Sequence, residues 1–148
     1  MIKNTLACAF LVLLIFSACE KKTDGPGSPP DTRDIEMLRI TAEPWTMYKV
    51  ELSGQDIWNM GFIDQCQKDD TYRFYANKRM VQYENRNVCS GNTDSSENEW
   101  DFYNGRKSVI GSILGITDTA QILELEPKSM KLEINWDGSP VVLSFKHD

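Results

Sequence analysis

Residues 129–146 read SMKLEINWDGSPVVLSFK, and this stretch decides the fold class. Its first half alternates apolar with polar side chains, which is the period-two pattern of a strand with one buried face. The sequence DGSP then predicts a turn, and the alternation resumes after it. The stretch therefore predicts two antiparallel strands. The side chains predicted to face inward are Met130, Leu132, Ile134, Trp136, Val141, Leu143 and Phe145.

The same alternation recurs toward the N-terminus. Residues 34–40 fit one or two helical turns, with Asp31 or Thr32 placed to cap them. Residues 56–63 fit a short strand or an ordered loop. No long helical period follows, so βαβ units are not expected. The segments with a strand pattern are 45–53, 71–77, 79–85, 99–105 and 120–126, and 107–120 is an apolar run that two glycines interrupt.

About eight short strands joined by turns predict an all-β fold. Sequential strands with one apolar face each favour an antiparallel up-and-down meander. Closing the meander into a barrel removes its exposed edges, so an eight-stranded barrel is the prediction. A two-sheet β-sandwich is the alternative, because the pattern alone does not separate the two.

The N-terminal region predicts export. Residues 5–16, TLACAFLVLLIF, are almost wholly apolar and follow the single charge of Lys3. The run is too short for a stable membrane span, and it fits the apolar region of a secretory signal peptide. The sequence Ser-Ala-Cys at 17–19 resembles a bacterial lipobox. That resemblance implies a leader at 1–18 and a diacylated Cys19; an ordinary signal peptide and an uncleaved anchor are the alternatives.

Residues 19–34, CEKKTDGPGSPPDTRD, have the composition of a tether. They are rich in Gly, Pro, Ser and charge and contain no aromatic side chain, so they predict a flexible stalk. The stalk would hold a domain at 35–148 to a membrane through the lipid of Cys19. The outer membrane is the expected site. Its periplasmic or external face stays open, because Glu20 alone is acidic close to the cysteine.

Charge and motif content exclude several function classes. The chain carries 22 acidic and 16 basic residues, so it is a poor candidate for binding nucleic acid. Its one histidine is the penultimate residue, His147. Asp69 and Asp70 are adjacent, so on a strand their side chains would point to opposite faces and could not act as a facing acid–base pair. Just before Tyr72 they are expected to end a loop by accepting hydrogen bonds from nearby backbone amides, and a cation site with the loop that contains Asp94 is the alternative. No catalytic motif occurs, so we expect neither an enzyme nor a cofactor or metal site.

Two cysteines remain in the domain, Cys66 and Cys89. In an oxidising compartment such a pair predicts a disulfide, and metal binding is the rival interpretation. A bridge closing about 24 residues is expected to stabilise the fold by roughly 3 to 3.5 kcal/mol on the chain-entropy model.

The order of these motifs resembles a known family. A strand that opens with a Trp, PWTMYKV at 44–50, precedes CQKDDTYRFYANKRMVQYEN at 66–85. A second cysteine, EWDF at 99–102 and GSPVVLSF at 138–145 follow. This resembles the lipocalin-like lipoprotein domains common in Bacteroidetes, over roughly residues 38–146. The resemblance implies an eight-stranded barrel, and it implies no particular ligand.

The surplus of aromatic side chains supplies the candidate contact residues. Trp58, Met60 and Phe62 lie outside the clean alternation and could form a rim, and Tyr72 could line a cavity. One hypothesis is a monomeric binding module that holds a small apolar or amphipathic molecule in the mouth of the barrel. The other is an interaction module whose loops contact an envelope protein or a glycan.

Overall fold

The computed structural model describes residues 32–147 as one helix and ten strand segments in a single antiparallel sheet. Each long strand pairs with its neighbours along the chain, and the first pairs with the last. The sheet is therefore a nearly closed up-and-down barrel, which confirms the predicted fold class, whereas the two-sheet sandwich is wrong. The elements are α1 (Thr32–Thr41), β1 (Trp45–Leu52), β2 (Gln55–Asp56), β3 (Thr71–Phe74), β4 (Arg79–Tyr83), β5 (Ser95–Glu99), β6 (Asp101–Tyr103), β7 (Ser108–Ile113), β8 (Ile116–Leu125), β9 (Ser129–Trp136) and β10 (Ser139–Lys146), with a 3₁₀ turn at Gln65–Gln67.

The two ends of the sheet are joined by one run of chain. Only Trp100 separates β5, which pairs with β4, from β6, which pairs with β7. Trp100 is buried at this change of partner, and its indole Nε1 donates to the carbonyl of Tyr75 at 3.0 Å. Counting β5 and β6 as one strand, and setting aside the two-residue β2, the barrel has the eight strands that the sequence predicts.

The interior of the barrel is filled with large side chains. Phe74 packs edge-on against Trp100 with ring centroids 5.2 Å apart, and Tyr72 against Phe145 at 5.7 Å. An eight-stranded barrel is just wide enough for side chains to fill it, so the observed interior is a packed core. The largest fully buried side chains are Trp45, Trp100, Tyr72, Phe74, Phe145, Ile40, Met47, Met80, Met130, Leu132, Leu143 and Val50.

Among the side chains predicted to face inward from residues 129–146, Trp136 lies outside this core. Trp136 was expected to face inward with Met130, Leu132 and Ile134, but its side chain is 44% exposed. It is the last residue of β9, where the strand passes beyond the level of the packed interior. Period-two alternation gives the face of a strand, and it does not give the height at which the interior ends.

Helix α1 covers one end of the barrel, here called the helix end. Ile40 is fully buried and its carbonyl accepts a hydrogen bond from the indole of Trp45 at 2.9 Å. Arg39 donates to the carbonyl of Leu125 at 2.8 Å, which fixes the helix beside the C-terminal end of β8. The helix has ten residues and begins at Thr32, three residues before the boundary expected for the domain.

The opposite end, here called the open end, carries the two longest connections of the barrel. These are 53–70 and 84–94, and the turns at 114–115 and 137–138 lie beside them. The predicted leader at 1–18, Cys19 and most of the stalk at 19–34 lie outside the described residues. No helix in the described part of the chain is long and apolar enough to cross a membrane.

Candidate functional site

The inner face of the sheet changes from apolar to polar toward the open end. Phe74 on β3 lies opposite Met80 on β4, and Tyr72 lies opposite Gln82. The next inward positions beyond this pair are Asp70, which is fully buried, and Glu84, which is 4% exposed. Because directly opposite residues share a face of the sheet, this alternation carries two carboxyl groups into the mouth of the barrel.

A polar cavity of about 420 Å³ opens beside these groups. It lies between the 84–94 connection, β5 and the β7–β8 turn. In that turn Leu114 and Gly115 both have positive φ, 55° and 74°, as a two-residue type I′ hairpin requires. The glycine-interrupted run at 107–120 is thus a hairpin. The cavity is lined by Gln67, Gln82, Glu84, Gly91, Asn92, Thr93, Ser96, Leu114 and Gly115.

Glu84 holds the 84–94 connection in place. One carboxylate oxygen accepts the backbone N–H of Cys89 at 2.8 Å, and the other accepts the side-chain amide of Asn92 at 2.7 Å. Cys89 is bonded to Cys66, so the predicted disulfide is confirmed, and it joins the two long connections of the open end. The cavity therefore has walls that are fixed by a covalent bond and by partly buried hydrogen bonds.

The adjacent aspartates have separate roles, as their spacing predicts. Asp69 Oδ2 accepts the backbone N–H groups of Arg86 at 3.0 Å and Asn87 at 3.2 Å, so it ends a loop by binding backbone amides. Asp70 points to the opposite face, where its Oδ2 accepts the Gln82 side-chain amide at 2.8 Å. Its Oδ1 is buried and has no hydrogen-bond partner among the protein groups.

Burial perturbs both titratable groups at this place. It raises the pKa of Asp70 to about 6; the hydrogen bond from Gln82 opposes the shift, and the charges of Glu84 and Asp69 add to it. Burial also raises the pKa of the Tyr72 hydroxyl, with a further contribution from the charge of Asp70. The nearby backbone of Leu114 opposes that shift in pKa. The Tyr72 hydroxyl nevertheless has no hydrogen-bond partner of acceptable geometry.

The four predicted contact residues do not come together. Phe62 is 62% exposed and borders a shallow apolar depression of about 230 Å³ with Trp136. Met60 is 54% exposed, and Trp58 is partly buried with the Lys68 ammonium 5.4 Å from its ring. Tyr72 is instead fully buried in the core near the polar cavity. The depression and the cavity share no lining residue, so the open end carries two separate surfaces.

The polar residues of the cavity are the ones that sequence reasoning missed. Gln82 and Glu84 continue the inward positions of Met80 at spacings of two and four, and Ser96 lies opposite Gln82 on β5. The alternation in residues 79–85 predicts Val81 and Tyr83 on one apolar face, so it leaves Gln82 and Glu84 on the polar face. The structure instead turns Gln82 and Glu84 inward, and Tyr83 is 37% exposed. Asn92 and Thr93 belong to a connection without periodicity, so no pattern could place them.

The chemistry of the cavity is that of hydrogen bonding. Within residues 32–147 no group of three or more His, Cys, Asp and Glu side chains is placed to hold a metal ion. No family model, no curated protein and no solved structure matches the chain. The resemblance to lipocalin-like lipoproteins therefore stays a prediction, and function has to be argued from this geometry.

Proposed function

We propose that this protein is a lipid-anchored, non-enzymatic binding module of the bacterial cell envelope, with the open end of the barrel as its binding surface. The observation that carries the proposal is the cavity of about 420 Å³ framed by two connections that a disulfide joins. Its volume falls within the range of small-molecule sites. Recognition surfaces placed on loops above a rigid sheet are common among binding proteins.

The position of the helix supports the same orientation. Helix α1 lies at the helix end, and the stalk sequence precedes it in the chain. A lipid on Cys19 would therefore hold the helix end toward the membrane and present the open end away from it. In this proposal the domain is a monomer on the outer membrane. Labelling of intact cells would show which face of that membrane it occupies.

The filled interior limits where a ligand binds. A deep apolar calyx would need the volume that Trp45, Trp100 and Phe145 occupy, so a ligand is confined to the mouth. A small apolar molecule, the first hypothesis from the sequence, would have to bind in the shallow depression beside Phe62 and Trp136. The cavity itself favours a polar ligand.

A second candidate function is a protein-interaction module. It is favoured by the exposure of Met60, Phe62 and Trp136, because aromatic side chains and Met are enriched in protein interfaces. In that case the ligand is a partner in the envelope and the contact lies on the apolar side of the open end.

Native mass spectrometry with a matched pair of variants tests the binding surface. Every described strand pair lies within 45–146, so the chain from Glu20 onward contains the whole sheet and α1. After exposure to an envelope extract we expect a bound adduct. Ser96→Trp, which places an indole in the cavity, should abolish it, whereas Ser95→Trp on the outer face of the same strand should not. An adduct that survives both substitutions equally would contradict the cavity as the site, and no adduct at all would contradict the binding module.

Metabolic labelling tests the anchor. Labelled palmitate should be incorporated into the full chain expressed in a bacterium and should be absent from Cys19→Ala. Equal labelling of both chains, or of neither, would refute the lipid attachment.

A further inference from the structure

The lining of the polar cavity is specific enough to indicate the class of its ligand. Most of its polar groups are neutral amides and hydroxyls, which both donate and accept hydrogen bonds. The lining contains no lysine, arginine or histidine. The groups are the side chains of Gln67, Gln82, Asn92, Thr93 and Ser96.

The charge of the cavity disfavours an anion. Glu84 lines the cavity and Asp70 is hydrogen-bonded to the lining residue Gln82, so two buried carboxyl groups lie at the cavity wall. An anionic ligand would meet the like charge of Glu84 and would find no cationic partner among the lining side chains. A bare metal ion is also a poor fit, because both oxygens of Glu84 already accept hydrogen bonds from Cys89 and Asn92.

An apolar ligand fits no better. It would cover amide and hydroxyl groups without supplying partners, and each buried polar group left unpaired costs about 1–3 kcal/mol. Leu114 is the one large apolar side chain of the lining, and the other apolar surface comes from glycines and from the carbon atoms of polar side chains.

Two buried polar side chains lie behind the cavity wall. Asp70 Oδ1 and the Tyr72 hydroxyl are buried without a hydrogen-bond partner. Asp70 is bonded to Gln82 at 2.8 Å, and Tyr72 lies beside the backbone of Leu114, so both stand one residue behind the lining. Neither residue lines the cavity, so a ligand bound there would contact the wall residues Gln82 and Leu114 and not these two groups.

We infer that the polar cavity binds a neutral polyhydroxylated ligand, a saccharide unit, through the side-chain amides of Gln82 and Asn92 and the hydroxyl of Ser96. This inference rests on the proposed function and names the ligand class of the same site. Uncharged hydroxyl groups both donate to and accept from these amide and hydroxyl groups, whereas a hydrocarbon does neither. The disulfide between Cys66 and Cys89 preorganises the two connections that carry the binding groups. Preorganisation lowers the entropic cost of binding.

NMR titration of the ¹⁵N-labelled chain from Glu20 onward tests the ligand class. The probes are methyl glycosides of glucose, galactose and mannose, with glucuronate as the anionic probe and decanoate as the apolar one. We expect at least one neutral glycoside to shift the side-chain amide signals of Gln82 and Asn92 and the backbone signal of Gly115. Glucuronate should bind about tenfold more weakly than the matching neutral sugar, which corresponds to about 1.4 kcal/mol.

Two variants at neighbouring positions provide the control. Ser96→Trp should weaken the glycoside about tenfold or more, and Ser95→Trp should leave its affinity unchanged, while the remaining backbone signals show that both chains stay folded. If no neutral glycoside shifts these signals, or if glucuronate or decanoate binds more tightly at this cavity, the ligand class is wrong. The adduct measurement on the same Ser96 and Ser95 variants then decides separately whether the open end is a binding surface at all.

Discussion

Replacing Asp70 by asparagine should make the stability of the protein less dependent on pH. Burial raises the pKa of Asp70 from its ordinary value of 3.8 to about 6 in the folded chain, so the folded state binds this proton more tightly than the unfolded state. The stabilisation from protonated Asp70 is therefore fully present below about pH 3.8 and is lost as the pH rises through 6. Asp70→Asn has no proton to lose and keeps the size of the side chain.

The two pKa values set the size of the effect. Between about pH 4.5 and about pH 7.5 the folded protein should lose about 2 kcal/mol of unfolding free energy through this one group. The free-energy difference between Asp70→Asn and the original chain should shift by that amount in favour of the variant as the pH rises. Other carboxyl groups titrate in both chains, so their contributions cancel in the difference.

Urea unfolding followed by tryptophan fluorescence at both pH values measures this difference. The matched control is Asp118→Asn, which removes an exposed carboxylate from β8 and reports the effect of losing one surface charge. The difference in unfolding free energy between Asp70→Asn and the original chain is compared at the two pH values. If it is the same at both, or shifts in the opposite direction, Asp70 is not the buried, desolvated acid described here.

Three further substitutions test the barrel and its open end. Cys66→Ser with Cys89→Ser should lower the unfolding free energy by about 3 kcal/mol, measured by urea denaturation; wild-type stability in the double variant would contradict this. Trp100→Ala should lower the unfolding free energy by about 3–5 kcal/mol, because it leaves a cavity in the core and removes the hydrogen bond to the carbonyl of Tyr75. A decrease below about 1 kcal/mol would contradict the role of Trp100 at the change of strand partner. Gly138→Ala should lower the melting temperature, since φ is +80° there, and an unchanged melting temperature would contradict backbone strain as the reason for glycine in this turn.

The sequence by itself determined the local structure of this protein. Alternating side chains fixed the strands, Asp137 and Gly138 fixed one hairpin, and the pair Cys66 and Cys89 predicted the bridge that the structure contains. These features are readable because a strand repeats every two residues and a turn is set by the few residues in it. The up-and-down order followed, since short connections leave consecutive strands as neighbours.

Only the tertiary structure decided what the barrel encloses and where its surfaces lie. Whether aromatic side chains fill the interior depends on how volumes from eight strands fit together, and no single strand carries that information. Trp136 is exposed because the packed interior ends below it, and Asp70 is buried because β4 and its following connection close over it. The cavity brings Gln67, Glu84 and Ser96 together with the Leu114–Gly115 turn, residues that are distant in the chain and adjacent only once the sheet has curved round.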